Sequence, residues 1–523
     1  MFFALIVIIL LVSLTLIKLP LTTTKSAAPP GPPGLPFIGN LLQFDRSKPH
    51  IHLWKLSKKY GPIIFLNHCS TRWLVVSSAA AAKQILKTDD LSFCRRPPVV
   101  GQQKLSYGGK DIAFSPYNNH SKGLRKICLH QVFSSKAALS FRPIREDEVW
   151  RMIDAINTSL RASSSSGSSS PINLSRLGMS LAVNLICRTA FGRRFEEDEY
   201  ERIKFDRLIM EAQALMVSFY FGDHFPTALG WVDKVRGLSD RLRRNFEELD
   251  AFYEQIIEEH RGCNGEEEED IVSFMIGVME EEQRRSSMDF TREHLKGLLM
   301  NLFVAGTDTV AAAVVWAMTA LSSRPAIMHK AQAQIRGLIG AKGTSRVEEE
   351  DLPKLGYLKA AVLETLRLFP PAPLLFRTQI SNHSCTVGGF HVPPGTSVIV
   401  NGWALGRDPD NWEHPEEFRP ERFLQDDGTI NRDAAAFAVG ANHFGDFGMV
   451  PFGGGRRGCP GKEIGLISTE LALANLLYSF DWSAGHGCCC STHEKDDIQS
   501  LPGLTTHKKN PLILMAKTFI QND

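Results

Sequence analysis

Phe452 to Gly461 reads Phe-Gly-Gly-Gly-Arg-Arg-Gly-Cys-Pro-Gly, and its chemistry centres on Cys459. Four glycines fall between Phe452 and Cys459, at 453, 454, 455 and 458, and Gly461 follows. So much glycine suits a backbone that turns sharply or lies against something flat. Arg456 and Arg457 add positive charge, which lowers a thiol pKa. The mostly apolar run Ile464 to Leu477 predicts a buried helix, so Cys459 would fall just before a helix N-terminus, which also favours an anionic sulfur. Three readings compete: a glycine-rich turn around a buried free cysteine, a phosphate-binding loop, and an axial thiolate ligand to heme iron. The phosphate loop fails on spacing. Position 456 is Arg rather than Gly, and Glu463 follows Lys462 where Ser or Thr is needed for the metal.

A second group lies in the longest helical candidate, Thr291 to Ser322. Leu298 to Leu321 is apolar nearly all round, which predicts a helix buried through the middle of the protein. The run is long enough to span a membrane, but Asn301, Thr307, Asp308 and Thr309 sit within it, where a charge is costly in lipid. Small residues at Ala305 and Gly306 leave a gap beside the helix. Hydroxyls at Thr307 and Thr309 can bond back to carbonyls one turn earlier and loosen the ladder. Taken alone, a packing notch and a ligand groove are equally good readings. A third group is Glu364 and Arg367, an acid and a base three apart on one helix face, ended by Pro370-Pro371. Such pairs are usually solvated, but apolar residues surround this one, and Phe418 to Phe423 brings Arg422 downstream.

These groups need a scaffold. The chain has 523 residues, 43% of them hydrophobic and 22% charged, with net charge +2, so nothing points to a nucleic-acid partner. Ten cysteines are too sparse for a disulfide framework and suit a reducing compartment. Phe2 to Ile17 is apolar except Ser13 and Thr15, and apolar residues resume at Leu19 to Leu21. No basic residue precedes the run, whereas Lys18 and Lys25 follow it, so an uncleaved anchor with the body in the cytosol is expected over 1–21. Pro29 to Pro36 forms a stiff, extended hinge, assigned to 22–36, and the body runs from 37 to 523. Tyr60 to Val76 reads as a hairpin, and Cys385 to Val400 as short strands around Pro393-Pro394-Gly395. Ala162 to Ser170 and Cys263 to Asp270 read as exposed loops. Cys488-Cys489-Cys490 lacks the two-residue gap that aims two sulfurs at one zinc, and a surface loop is the better reading.

The pattern Phe-x-x-Gly-x-Arg-x-Cys-x-Gly is complete at Phe452, Gly455, Arg457, Cys459 and Gly461. With Ala305 to Thr309, Glu364 to Arg367, the Pro420-Glu421-Arg422-Phe423 segment, the anchor and the proline hinge, all in order, the chain resembles the cytochrome P-450 family, most closely its plant-type microsomal members. The resemblance implies a mainly α fold with a small β-rich region behind an N-terminal membrane anchor helix. It implies heme b ligated by Cys459, propionate contacts from Arg457 and Arg125, an oxygen-binding groove at Ala305 and Gly306, and proton delivery through Thr309 and Asp308. It further implies endoplasmic reticulum membrane lipid around a single-pass anchor, and electrons from NADPH-cytochrome P-450 reductase. One oxygen atom from O2 would enter a small, mostly apolar substrate of specialised metabolism. Glu364, Arg367 and Arg422 resemble the family's buried charge triad, expected to brace the cysteine loop. The family usually has Trp four residues before the Arg at 125; this chain has Ser121, with Lys122 or His120 as candidate substitutes. Pocket residues are expected from Val99 to Ser115, Phe205 to Phe221, Leu298 to Thr309, Ala372 to Phe376 and Leu504 to Thr506. A non-oxygenating heme sensor would not need the Thr309 region, and a reductase-independent peroxide-rearranging enzyme would tend to lack that threonine.

Overall fold

The computed structural model describes residues 28–520 except 165–170, 195–198, 226–228, 263–269, 286–289, 381–383, 440–445, 484–498 and 502. The expected anchor, the first part of the proline hinge, most of both expected exposed loops, and Cys488-Cys489-Cys490 lie outside the described residues.

The apolar run around Ala305 forms one uninterrupted helix, Arg292–Ser322. Its start is fixed by a capping box, in which the Thr291 N–H donates to His294 Nδ1 at 3.1 Å. Residues on every side of it are buried, among them Leu298, Phe303, Trp316 and Leu321, because helices Leu174–Phe191, Gly356–Leu368 and Lys462–Ser479 pack around it. Its hydrophobicity therefore faces protein. The core divides along this helix. Leu298 to Val304 pack with Phe205, Leu208, Ile112 and Leu124 on one side. Ala312 to Leu321 pack with the Gly356–Leu368 and Lys462–Ser479 helices on the other. The turn from Ala305 to Val310 belongs to neither cluster, and the molecule is open there.

The β-rich part is a four-stranded sheet in the order Ile63–His68, Thr71–Val76, Ser397–Asn401, Leu374–Thr378. Its first two strands are the expected hairpin, antiparallel with Ile63 opposite Val76 and His68 opposite Thr71. Leu74 and the β-branched Val76, Val398 and Val400 pack into the core beneath it, as apolar residues on a pleated face do. The described part of the proline segment lies along the hairpin's edge. The Phe65 N–H donates to the Pro30 carbonyl at 2.9 Å. Gly31 permits the approach, since a Cβ there would come within 2.0 Å of the Phe65 oxygen.

Candidate functional site

The cysteine loop is built on its glycines. Gly453 and Gly455 have φ of +72° and +59°, and a Cβ at 455 would meet the Leu86 carbonyl oxygen at 2.4 Å. The loop closes where the Cys459 N–H donates to the Phe452 carbonyl at 2.9 Å, and helix Lys462–Ser479 starts immediately beyond Gly461. Phe452 packs its ring on the larger core cluster. The Cys459 side chain is solvent-accessible, yet surrounding protein raises its thiol pKa, against a backbone N–H from Gly461 and the charges of Arg125 and Lys462. This corrects the expectation that Arg456 and Arg457 acidify the sulfur. The main chain aims them elsewhere: Arg456 pairs with Asp90, and Arg457 turns toward the segment from Cys94 to Ser115. The desolvation imposed by the surrounding protein then outweighs the remaining cations.

Four guanidinium groups gather beside this loop. Arg457 Nε donates to the Cys94 carbonyl at 2.8 Å and Nη1 to the Ile112 carbonyl at 3.3 Å. Arg125 donates to the Gly458 carbonyl. Arg377 Nη1 donates to the Phe376 carbonyl at 2.9 Å, and Arg96 Nη1 to the same oxygen at 2.6 Å. Burial, then mutual repulsion, brings Arg377 down to about 10 and Arg96 well below its usual value. Asp111 is the carboxylate closest in charge to this group besides Asp90, which Arg456 occupies. Burial pushes Asp111 up to about 6, although the Asn301 amide donates to it at 2.8 Å. Positive charge is thus in excess. Arg96 and Arg377 carry no motif of their own in the sequence; only their closeness in the fold reveals them. Ser121 has a local reason: with Asn118 it forms the capping box of helix Asn119–Ile127. Lys122 stands over the Tyr117 ring and His120 against the His294 ring, and the buried His120 Nε2 has no hydrogen-bond partner.

Along the central helix, Ala305 is exposed in the middle of a buried element. Gly306 instead serves packing, since a Cβ there would come within 2.5 Å of Ile186. The Thr309 hydroxyl donates to the Ala305 carbonyl at 2.7 Å and the Thr307 hydroxyl to Phe303 at 2.6 Å, without interrupting the helix. Asp308 is buried and meets His507 Nε2 at 2.6 Å. His507 was not foreseen; it comes from a two-residue strand near the C-terminus and is 30% exposed. Three of the expected pocket stretches meet along this helix, and a fourth, Leu504 to Thr506, bonds to Pro371 just ahead of the fifth. Asn301 Oδ1 accepts from the Ile112 N–H at 3.0 Å, Gln213 Nε2 donates to the Val304 carbonyl at 3.3 Å, and the Thr506 N–H donates to Pro371 at 2.8 Å.

The charge triad is present as expected. Arg367 binds Glu364 through two parallel hydrogen bonds of 2.6 and 2.8 Å, both side chains fully buried, and Arg422 Nε adds a third at 3.1 Å. Arg367 also donates to the Pro415 and Glu417 carbonyls at 2.7 and 2.9 Å. Trp412, in the same segment, donates to Gly448 at 3.0 Å, just before the cysteine loop. The triad therefore reaches that loop through one intervening segment.

An accessible thiol with a backbone donor, beside four arginines that lack balancing acids, fits heme, which offers iron to the sulfur and two carboxylates to the cations. The helical fold and this donor set define a heme-thiolate protein. The Cytochrome P450 family model matches residues 29–515, and the chain belongs to that family. It is 42% identical over 504 residues to 6,7,8-trihydroxycoumarin synthase of Pastinaca sativa, covering 94% of each chain. It is 41% identical over 505 residues to 5-OH-xanthotoxin synthase of the same plant, again covering 94% of each. A zebra fish cytochrome P450 solved with progesterone shares the fold at 24% identity, with TM-score 0.71 over 90% of this chain and 99% of that one. The protein is a heme-thiolate monooxygenase with heme b as cofactor, using O2 and electrons from a redox partner.

Proposed function

We propose that Cys459 would hold the heme iron through its thiolate and that the enzyme hydroxylates a flat, largely apolar oxygen heterocycle of the coumarin class. The observation that carries the ligand assignment is the accessible Cys459 sulfur beside the uncompensated arginines. Arg96, Arg125, Arg377 and Arg457 would hold the two propionates, with Arg457 exchanging some of its carbonyl partners for them. The coumarin class is supported by the names of the similar plant enzymes. When bound, heme supplies oxygen activation and the insertion of one oxygen atom into substrate. The chain's own part is to exclude water, hold the substrate, and move protons. Ala305 keeps the helix face low, Gly306 keeps the helix against Ile186, and Phe452, Gly455 and Gly461 shape the loop. Thr309 holds a hydroxyl at the open turn, and Asp308 supplies it with protons received from the solvent-touching His507.

The same reading places residues 1–21 in the endoplasmic reticulum membrane as a single-pass anchor, 22–36 as the hinge, and 37–523 in the cytosol, where NADPH-cytochrome P-450 reductase delivers electrons. Its support is the apolar run followed by Lys18 and Lys25. The deciding experiment for ligation is Cys459→Ser. The thiolate signature of the reduced carbonyl complex should vanish; its survival would mean that another cysteine binds the iron. For the substrate, coumarin-class compounds should shift the heme spectrum at lower concentration than steroids or fatty acids of similar size.

A further inference from the structure

A second set of metal-ligating side chains lies at the turn of the first hairpin. His68 ends one strand, Cys69 occupies the turn, and His224 closes the short helix Phe221–His224. One ligand atom from each lies within 4.8 Å of the others. His68 is only 4% exposed, and its Nδ1 has no hydrogen-bond partner; His224 Nδ1 has none either. A buried ring nitrogen without a partner is uncommon and calls for a water, an ion or a ligand to complete it.

The chemistry of the cluster selects its ligand. Each imidazole offers an Nδ1 without a hydrogen-bond partner, and a neutral ring nitrogen is the form that binds metals. The rings are also fixed in place. His68 stacks on Trp73 at 4.0 Å and His224 on Phe219 at 4.6 Å, while Ser70 donates to the His224 carbonyl. Cys69 is only partly buried, which leaves an approach from solvent. The charged groups facing the cluster are Arg46, over the Phe219 ring at 4.2 Å, and Asp233, which acts on His224. Two imidazoles and a thiolate, with no carboxylate, suit zinc rather than calcium or magnesium.

We propose that His68, Cys69 and His224 form a three-ligand site for Zn2+, with water completing a tetrahedron. Such an ion would join the hairpin turn to the segment after helix Glu199–Met216. That segment is already tied to the pocket, because Asp223 accepts from the Val100 N–H at 2.8 Å and the Met216 carbonyl accepts from Gln102 at 3.3 Å. Zinc would therefore clasp one edge of the substrate pocket to the sheet and slow exchange through it.

The test uses the full-length, heme-loaded enzyme carrying Cys488→Ser, Cys489→Ser and Cys490→Ser, so that the cysteine run does not compete. Equilibrium dialysis against micromolar Zn2+ should give one zinc per heme. Cys69→Ala and His224→Ala should each weaken that binding by at least about a hundredfold, with heme content unchanged. In the enzyme with native Cys69, Zn2+ should shield that thiol from alkylation. Absence of bound zinc, undiminished binding in either variant, or unshielded Cys69 would each overturn the site.

Discussion

Among the described residues, two groups of buried and half-buried arginines differ in what balances their charge. Around Glu364, the guanidinium groups of Arg367 and Arg422 are matched by a carboxylate and by carbonyls at 406, 415 and 417. That group is complete in that it holds its own carboxylate, although burial and repulsion from Arg367 still lower Arg422 and bring the neighbouring Arg407 down to about 10, and it holds the segment leading to the cysteine loop. Around Cys459, Arg96, Arg125, Arg377 and Arg457 repel one another, and the nearby Asp111 is itself held toward its neutral form. That group is complete only with an anion brought from outside. Burial of arginine alone therefore distinguishes nothing; charge balance separates a brace from a binding site.

Breaking the complete group should have the largest effect. Glu364→Ala leaves Arg367 buried and unpaired, at a cost of roughly 3–5 kcal/mol. Little heme-loaded protein should accumulate, as read from the carbonyl spectrum per unit of purified chain. A folded, fully loaded but inactive variant would assign Glu364 to catalysis instead.

Removing a member of the incomplete group should act with the opposite sign on folding. Arg377→Met relieves repulsion, so the heme-free chain should melt no lower than its parent. Heme retention, followed by transfer to an acceptor globin, should fall by about tenfold, the worth of one charge-assisted hydrogen bond. A lower melting point with unchanged retention would make Arg377 a second brace.

Asp111 sharpens the contrast through pH. Its folded pKa of about 6 lies above the ordinary 3.8, so the folded state binds its proton more tightly. Its stabilising contribution is full below about pH 4 and is lost as pH rises to 6, at about 1.4 kcal/mol per unit. The stability difference between parent and Asp111→Asn should therefore change across that window and be flat above it. A flat difference throughout would show that the arginines keep Asp111 ionised.

The smallest effects should come from the open turn of the central helix. Thr309→Ala should leave substrate binding and NADPH consumption intact while product per NADPH falls and hydrogen peroxide rises. His507→Gln should slow turnover by about tenfold or less, since a neighbour of Asp308 is changed and not the acid itself. An unchanged product-to-NADPH ratio in Thr309→Ala would make its hydroxyl a packing feature, bonded to Ala305 and nothing more.

Local pattern alone determined much of this protein. The glycines around Cys459, the apolar length of Arg292–Ser322, the hairpin at Ile63–Val76 and the Glu364–Arg367 spacing are short-range features, each fixed by backbone freedom or periodicity within a few turns. The pairings that complete them are long-range. Arg96 with Arg377, Asp308 with His507 and His68 with His224 join residues far apart in the chain, and none has a motif to announce it. Even within the motif, sequence suggested that Arg456 and Arg457 would acidify Cys459, and only the folded chain showed both turned away while Arg125 and Lys462 come near. The reason is physical: adjacency along a chain fixes which groups are present, but direction and burial decide which charges interact, and both are set by packing.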